Sequence, residues 1–154
     1  MSEVLFYHLE RSALEDVLPG LLERTRERDW RAVVRVGSAE RMETLDMHLW
    51  TYSEQSFLAH GTAAEGHASR QPIYLTIEDE NPNSAQVLFM VGGAQAADWG
   101  APSLMALARI VLMFDGREAE AVDYARSAWR DAKKAGHDVT YWKESPSGKW
   151  EKRG

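Results

Sequence analysis

The apolar positions of this chain fall into two alternating patterns. Short continuous runs suit buried strands, and longer stretches with apolar residues three and four apart suit helices. Val4 to Leu9 is the first run. Ser12-Ala13-Leu14-Glu15 follows with capping-box spacing, Ser12 as the N-cap and Glu15 reaching back to its amide. Leu14, Val17, Leu18, Leu21 and Leu22 then predict an amphipathic helix from Ser12 to about Arg28, and Pro19 inside it predicts a kink or a local loss of regularity. Arg31 to Val36 reads as a strand, and Gly37-Ser38 turns the chain into a helix whose inner face carries Met42, Leu45 and Leu49.

A Gly/Ala/Ser-rich loop, Thr62 to Arg70, precedes a strand from Ile73 to Ile77, with a turn-rich stop at Glu78 to Asn83. Val87 to Val91 is another strand, ended by the turn Gly92-Gly93. Pro102 to Leu107 makes one or two helical turns, and Arg109 to Phe114 a strand closed by Asp115-Gly116. A long helix from Arg117 to Ala135 ends at Gly136, and Val139 to Lys143 is the last strand. Strands alternating with helices imply βαβ units and a largely parallel sheet covered on both faces. The pattern specifies a single Rossmann-like three-layer α/β domain over residues 1–144, followed by a polar, mobile tail over 145–154.

Composition narrows this picture. At 154 residues the chain is long enough for one domain with a real core. No run approaches the roughly 18 apolar residues of a membrane span, and no secretory pattern opens the sequence, so a cytoplasmic protein with no membrane association is expected. Cysteine is absent, which excludes disulfides and thiolate chemistry. The net charge of −6 argues against a protein that binds duplex DNA by neutralising phosphates. The charge is uneven, however. From Arg126 onward eight basic residues face four acids, so that end carries +4 and the remainder −10. An acidic body with a basic end suits an acidic partner docking at that end.

Signatures of catalysis are missing. Neither G-x-G-x-x-G nor G-x-x-x-x-G-K-[ST] occurs, and Glu10-Arg11-Ser12-Ala13 after the first strand offers no glycine and an acid where a phosphate would sit. No nucleotide site, cofactor or metal is expected. His8, His48, His60, His67 and His137 include no pair at the i, i+4 spacing of a helical metal site, and no G-x-S-x-G elbow is present. His60 reads as a hydrogen-bonded structural histidine.

The last long helix carries more. Ala121, Ala125, Ala128 and Ala132 form a thin stripe that lets it lie close to a sheet, while Arg126, Arg130 and Lys133 cluster within about 60° of arc elsewhere. Trp129 falls between the two. It reads either as a partly buried core residue or as a receptor for an aromatic group, with the flanking cations gripping carboxylates. The stretch Leu49 to Gly61 is also unusual for a loop, with Trp50, Tyr52 and Phe57 and charge only at Glu54. Such aromatics mark either a covered loop or a partner surface.

Several motifs together carry a family resemblance over nearly the whole length. They are Phe6-Tyr7-His8-Leu9, Leu45-Asp46, Leu49 to Tyr52, Ser56 to Gly61, Gln71-Pro72-Ile73, Phe114-Asp115-Gly116, and Ala125-Arg126 through Trp129 to Ala135-Gly136-His137. In their order and spacing the chain resembles the chi subunit of bacterial DNA polymerase III holoenzyme. The resemblance implies a non-catalytic clamp-loader accessory protein with a Rossmann-like fold and no nucleotide, touching DNA only indirectly. Two partners follow from it, a psi subunit and the acidic, Phe-terminated C-terminal tail of single-stranded DNA-binding protein. The family's tail site matches Arg126, Trp129 and Arg130, with Lys133 and Phe114 beside them. A family lysine one turn earlier matches Val122, so that charge is missing, and Lys133 is its substitute. The aromatic pair matched to the psi surface is Trp50 and Phe57. The competing readings are a nucleotide-dependent enzyme on the same fold and direct DNA binding through the basic tail.

Overall fold

A computed structural model describes residues 2–51 and 59–153. Among these residues seven strands form one sheet. They are β1 (Glu3–Leu9), β2 (Ala32–Val36), β3 (Ile73–Thr76), β4 (Val87–Val91), β5 (Arg109–Asp115), β6 (Asp138–Glu144) and β7 (Trp150–Lys152), in the spatial order β3-β2-β4-β5-β1-β6-β7. All pairings are parallel except the last, β6 with β7, which is antiparallel. The helices are α1 (Leu14–Glu27), α2 (Ala39–Thr51), a single turn α3 (Pro102–Met105) and α4 (Ala119–Lys134).

The alternation of side chains along the strands builds a core on each face of the sheet. Val4 and Phe6 of β1 and Ile110, Leu112 and Phe114 of β5 meet α4 through Ala125, Ala128 and Ala132. Leu5, Val111 and Met113 point the other way, toward Leu18 and Leu22 of α1 and Leu45 and Leu49 of α2. The α/β architecture is therefore as the periodicity indicates, with α1 and α2 on one face and α3 and α4 on the other.

Two local expectations are corrected. Ser12 does not cap α1. The helix starts after Ala13, whose amide lies 3.4 Å from the Asp16 carboxylate, because the Ser12 hydroxyl is bonded to Glu144 at 2.5 Å. Pro19 lies inside α1, which runs continuously through it. The carbonyl of Glu15, which Pro19 cannot serve, lies 2.7 Å from Nε2 of His48 on α2. Nor is β6 the last strand. The tail folds back at Ser145 to Lys149, with Gly148 at φ 85°, and Trp150 packs edge-on against Tyr7 at 5.2 Å.

The Gly/Ala/Ser-rich loop holds two 3-10 turns, Ala63–Glu65 and Ala68–Arg70. Gly92 and Gly93 do form a turn, at φ 60° and 92°.

Candidate functional site

In open α/β sheets ligands bind at the carboxyl ends of the strands, where successive crossovers leave on opposite faces. One such point lies between the adjacent strands β1 and β5, since β1 feeds α1 on one face and β5 feeds α4 on the other, and a second lies between β2 and β4, which feed α2 and α3 on opposite faces. The ends of β1 and β5 abut. The Gly116 amide donates to the Leu9 carbonyl at 2.7 Å, and a Cβ at position 116 would fall 1.9 Å from His8 Nε2. Only glycine fits there, so Asp115-Gly116 is a seam joining β5 to β1. Among the described residues no group of three or more His, Asp or Glu side chains is placed to hold a metal ion.

The chemistry on offer lies along α4 instead. Its alanine stripe brings the helix close to the sheet, so Trp129 at the margin of that stripe reaches strand residues. The indole meets Phe6 at 5.6 Å and Tyr141 at 5.7 Å, both edge-on, and Phe6 and Tyr141 are stacked at 6.2 Å. Phe114 joins from beneath, edge-on to Tyr141 at 6.1 Å and 4.8 Å from the His8 ring. Pairs in such geometry contribute about 0.5–1.5 kcal/mol beyond their burial. Trp129 is thus both core residue and partly exposed surface. The two readings of this residue are compatible because it stands at the boundary.

The cations flank that boundary. Lys133 Nζ sits 4.7 Å from the centre of the Trp129 ring. Arg126 and Arg130 are exposed, and neither takes part in an ion pair among the described residues. Burial raises the pKa of the Tyr141 phenol, and the positive charge of Arg126 works against that rise. Tyr141 shares a 2.6 Å hydrogen bond with His8 Nδ1, and His8 Nε2 lies 2.7 Å from the Glu10 carboxylate. Desolvation depresses the His8 pKa, and Glu10 opposes it.

Each residue matched to the tail site has a definite place. Arg126, Trp129, Arg130 and Lys133 line one edge of α4. Phe114 is 7% exposed and belongs to the floor. Val122, where the resemblance places a lysine, is partly buried and packs into the core under α4, extending the apolar strip by a turn. The sequence named Phe6 only within a family motif and did not mark Tyr141, so neither was placed at the site. The signal for Tyr141 was the alternation Val139, Tyr141, Lys143, which puts all three on the α4 face of β6.

Of the residues matched to the psi surface, Trp50 lies on the opposite face of the sheet. Trp50, at the end of α2, is 46% exposed, and Met47 one turn before it is 72% exposed. The inner side of Trp50 rests on the His60 ring at 4.2 Å. His60 is buried and pairs with Asp46 Oδ1 at 2.9 Å, which fits its reading as a structural residue. Phe57 lies outside the described residues.

The fold and its surface define a class, a Rossmann-like α/β domain with a sealed strand-end crevice, a basic aromatic strip on one face and exposed apolar residues on the other. Comparison with known families makes it particular. The chain belongs to the family described as DNA polymerase III chi subunit, HolC, which matches residues 1–140. A probable DNA polymerase III subunit chi of Rickettsia prowazekii (strain Madrid E) is 30% identical over 97 residues, 63% of this chain. The match spans 59% of that relative's length. Among the described residues no helix is long and apolar enough to cross a membrane.

Proposed function

We propose that this chain is a non-catalytic accessory subunit of a replicative DNA polymerase III complex, associated with the clamp loader in the cytoplasm. In this reading it tethers the complex to the acidic C-terminal tail of single-stranded DNA-binding protein. The observation that carries it is the edge of α4, where two exposed guanidiniums that form no ion pair among the described residues flank an indole backed by Phe6 and Tyr141. A terminal aromatic ring would pack on the exposed part of Trp129 and on Val122, while Arg126 and Arg130 take carboxylates bidentately. Lys133 adds charge at the far end of the strip. Contact with DNA is indirect, through the coating protein.

One such contact is modest, and many tails on a coated strand compensate by raising the effective concentration. Charge pairing makes association fast and salt-sensitive. The opposite face, around Met47 and Trp50, is the matching surface for a psi-like subunit, so one partner could be held on each side of the sheet. Isothermal calorimetry with an acidic peptide ending in Phe tests the tail site. Arg126→Ala should weaken binding by roughly tenfold or more, the worth of a charged hydrogen bond. Equal affinity for the wild type and this variant would remove the assignment.

A further inference from the structure

The loop after β1 is shaped to hold an anion, and the chain fills it from its own far end. The backbone N–H groups of Glu10, Arg11 and Ser12 all donate to Glu144 Oε1, at 3.1, 2.8 and 2.9 Å. The Ser12 hydroxyl donates to the other oxygen, Oε2, at 2.5 Å. Successive amides converging on one oxygen ahead of a helix are the arrangement by which α/β proteins hold phosphate groups. Helix α1, 14 residues long, begins two residues further on.

The occupant is the independent observation. Glu144 is 3% exposed, ends β6, and comes from more than 130 residues away in sequence. Burial alone would raise its pKa. The Ser12 hydroxyl and the three amides outweigh that and hold the carboxyl at about 2. Two further contacts join the same segments. The Arg11 guanidinium donates to the Pro146 carbonyl, and Lys143 Nζ lies 3.7 Å from Glu10. Residues 10–12 therefore grasp the start of the β6–β7 hairpin.

We propose that Glu144 is the resident anion of a latent oxyanion site, and that by filling it the β6–β7 hairpin is latched to the start of α1. With the carboxylate seated, a free phosphate is excluded by charge and by space. With it removed, the same four donors face solvent and accept a tetrahedral oxyanion of phosphate type.

The test uses the full chain as wild type, Glu144→Ala and Glu144→Gln, with inorganic phosphate against sodium chloride of matched ionic strength. Thermal unfolding and the amide signals of Arg11 and Ser12 are the readouts. Phosphate should stabilise Glu144→Ala saturably and shift both amides, and should leave the wild type unchanged. Glu144→Gln, which keeps an acceptor oxygen in the loop, should be less stable than wild type and gain nothing from phosphate. If Glu144→Ala is unfolded in chloride, phosphate should restore the folded signal. A Glu144→Ala chain that responds to phosphate no more than to chloride would overturn the proposal. So would a wild type whose Arg11 and Ser12 amides shift on adding phosphate.

Discussion

His48 Nε2 lies 2.7 Å from the carbonyl oxygen of Glu15, the α1 carbonyl that Pro19 leaves without its helical donor. A ring N–H from α2 thus replaces a backbone N–H of α1, and the two helices are joined at the place where one is chemically incomplete. His48→Ala should cost about 1–3 kcal/mol, the penalty for a part-buried carbonyl stripped of its partner. In a Pro19→Ala background the backbone donor is restored, so the same substitution should cost less. A double-mutant cycle by urea unfolding should show a coupling of about 1 kcal/mol. Additive effects would mean that the contact does not stand in for the missing bond.

Two glycines should respond oppositely to alanine. At Gly116 the new Cβ meets His8 and the Leu9 carbonyl, so the β1–β5 seam must open, at a cost of about 1–3 kcal/mol. At Gly20, inside α1, a Cβ meets nothing within 4 Å, and the gain in helix propensity should stabilise the chain by about 0.5–1 kcal/mol. Denaturant midpoints of the two variants check both signs.

Acid should reveal the Glu144 contact. The carboxyl is held at about 2 in the folded chain, below its ordinary value of 4.5 in the unfolded one. Its contribution is therefore fully present above about 4.5 and is lost as pH falls toward 2. Its size is about 3 kcal/mol at most. Stability curves of wild type and Glu144→Gln should be separated at neutral pH and converge over that window. A constant separation down to pH 2 would contradict the contact's ionic character.

Stability and peptide affinity should separate along α4. Trp129→Ala removes packing against Phe6 and Tyr141 and should cost about 3 kcal/mol, as well as weakening the peptide. Lys133→Ala should change stability by no more than about 0.5 kcal/mol, since its ammonium only overlies an indole face at an exposed position. Its effect should appear in the salt dependence of peptide binding. Parallel unfolding and calorimetry on the two variants make the comparison.

What the sequence determined by itself is the local pattern. The continuous run Val87–Val91 states a strand covered on both faces, and the Ala125, Ala128, Ala132 stripe states a helix and its inner face, because burial on two sides removes polar positions from a strand while burial on one side imposes a period of 3.6 on a helix. The order and spacing of its motifs also carried the family, and the basic arc around Trp129 was visible on α4. Tertiary structure decided which polar groups meet. Ser12 has the spacing of a cap, yet its hydroxyl goes to Glu144, 132 residues away. Pro19 reads as a kink or a local loss of regularity, yet His48, 29 residues on, supplies a donor for the carbonyl that Pro19 leaves unserved. Pro146-Ser147-Gly148 held a turn signal between Trp142 and Trp150, but the tail became β7 only because β6 offered a free edge. Periodicity records which side of an element is dry. It does not record which distant donor will satisfy a given oxygen, because that depends on the packing of several elements at once.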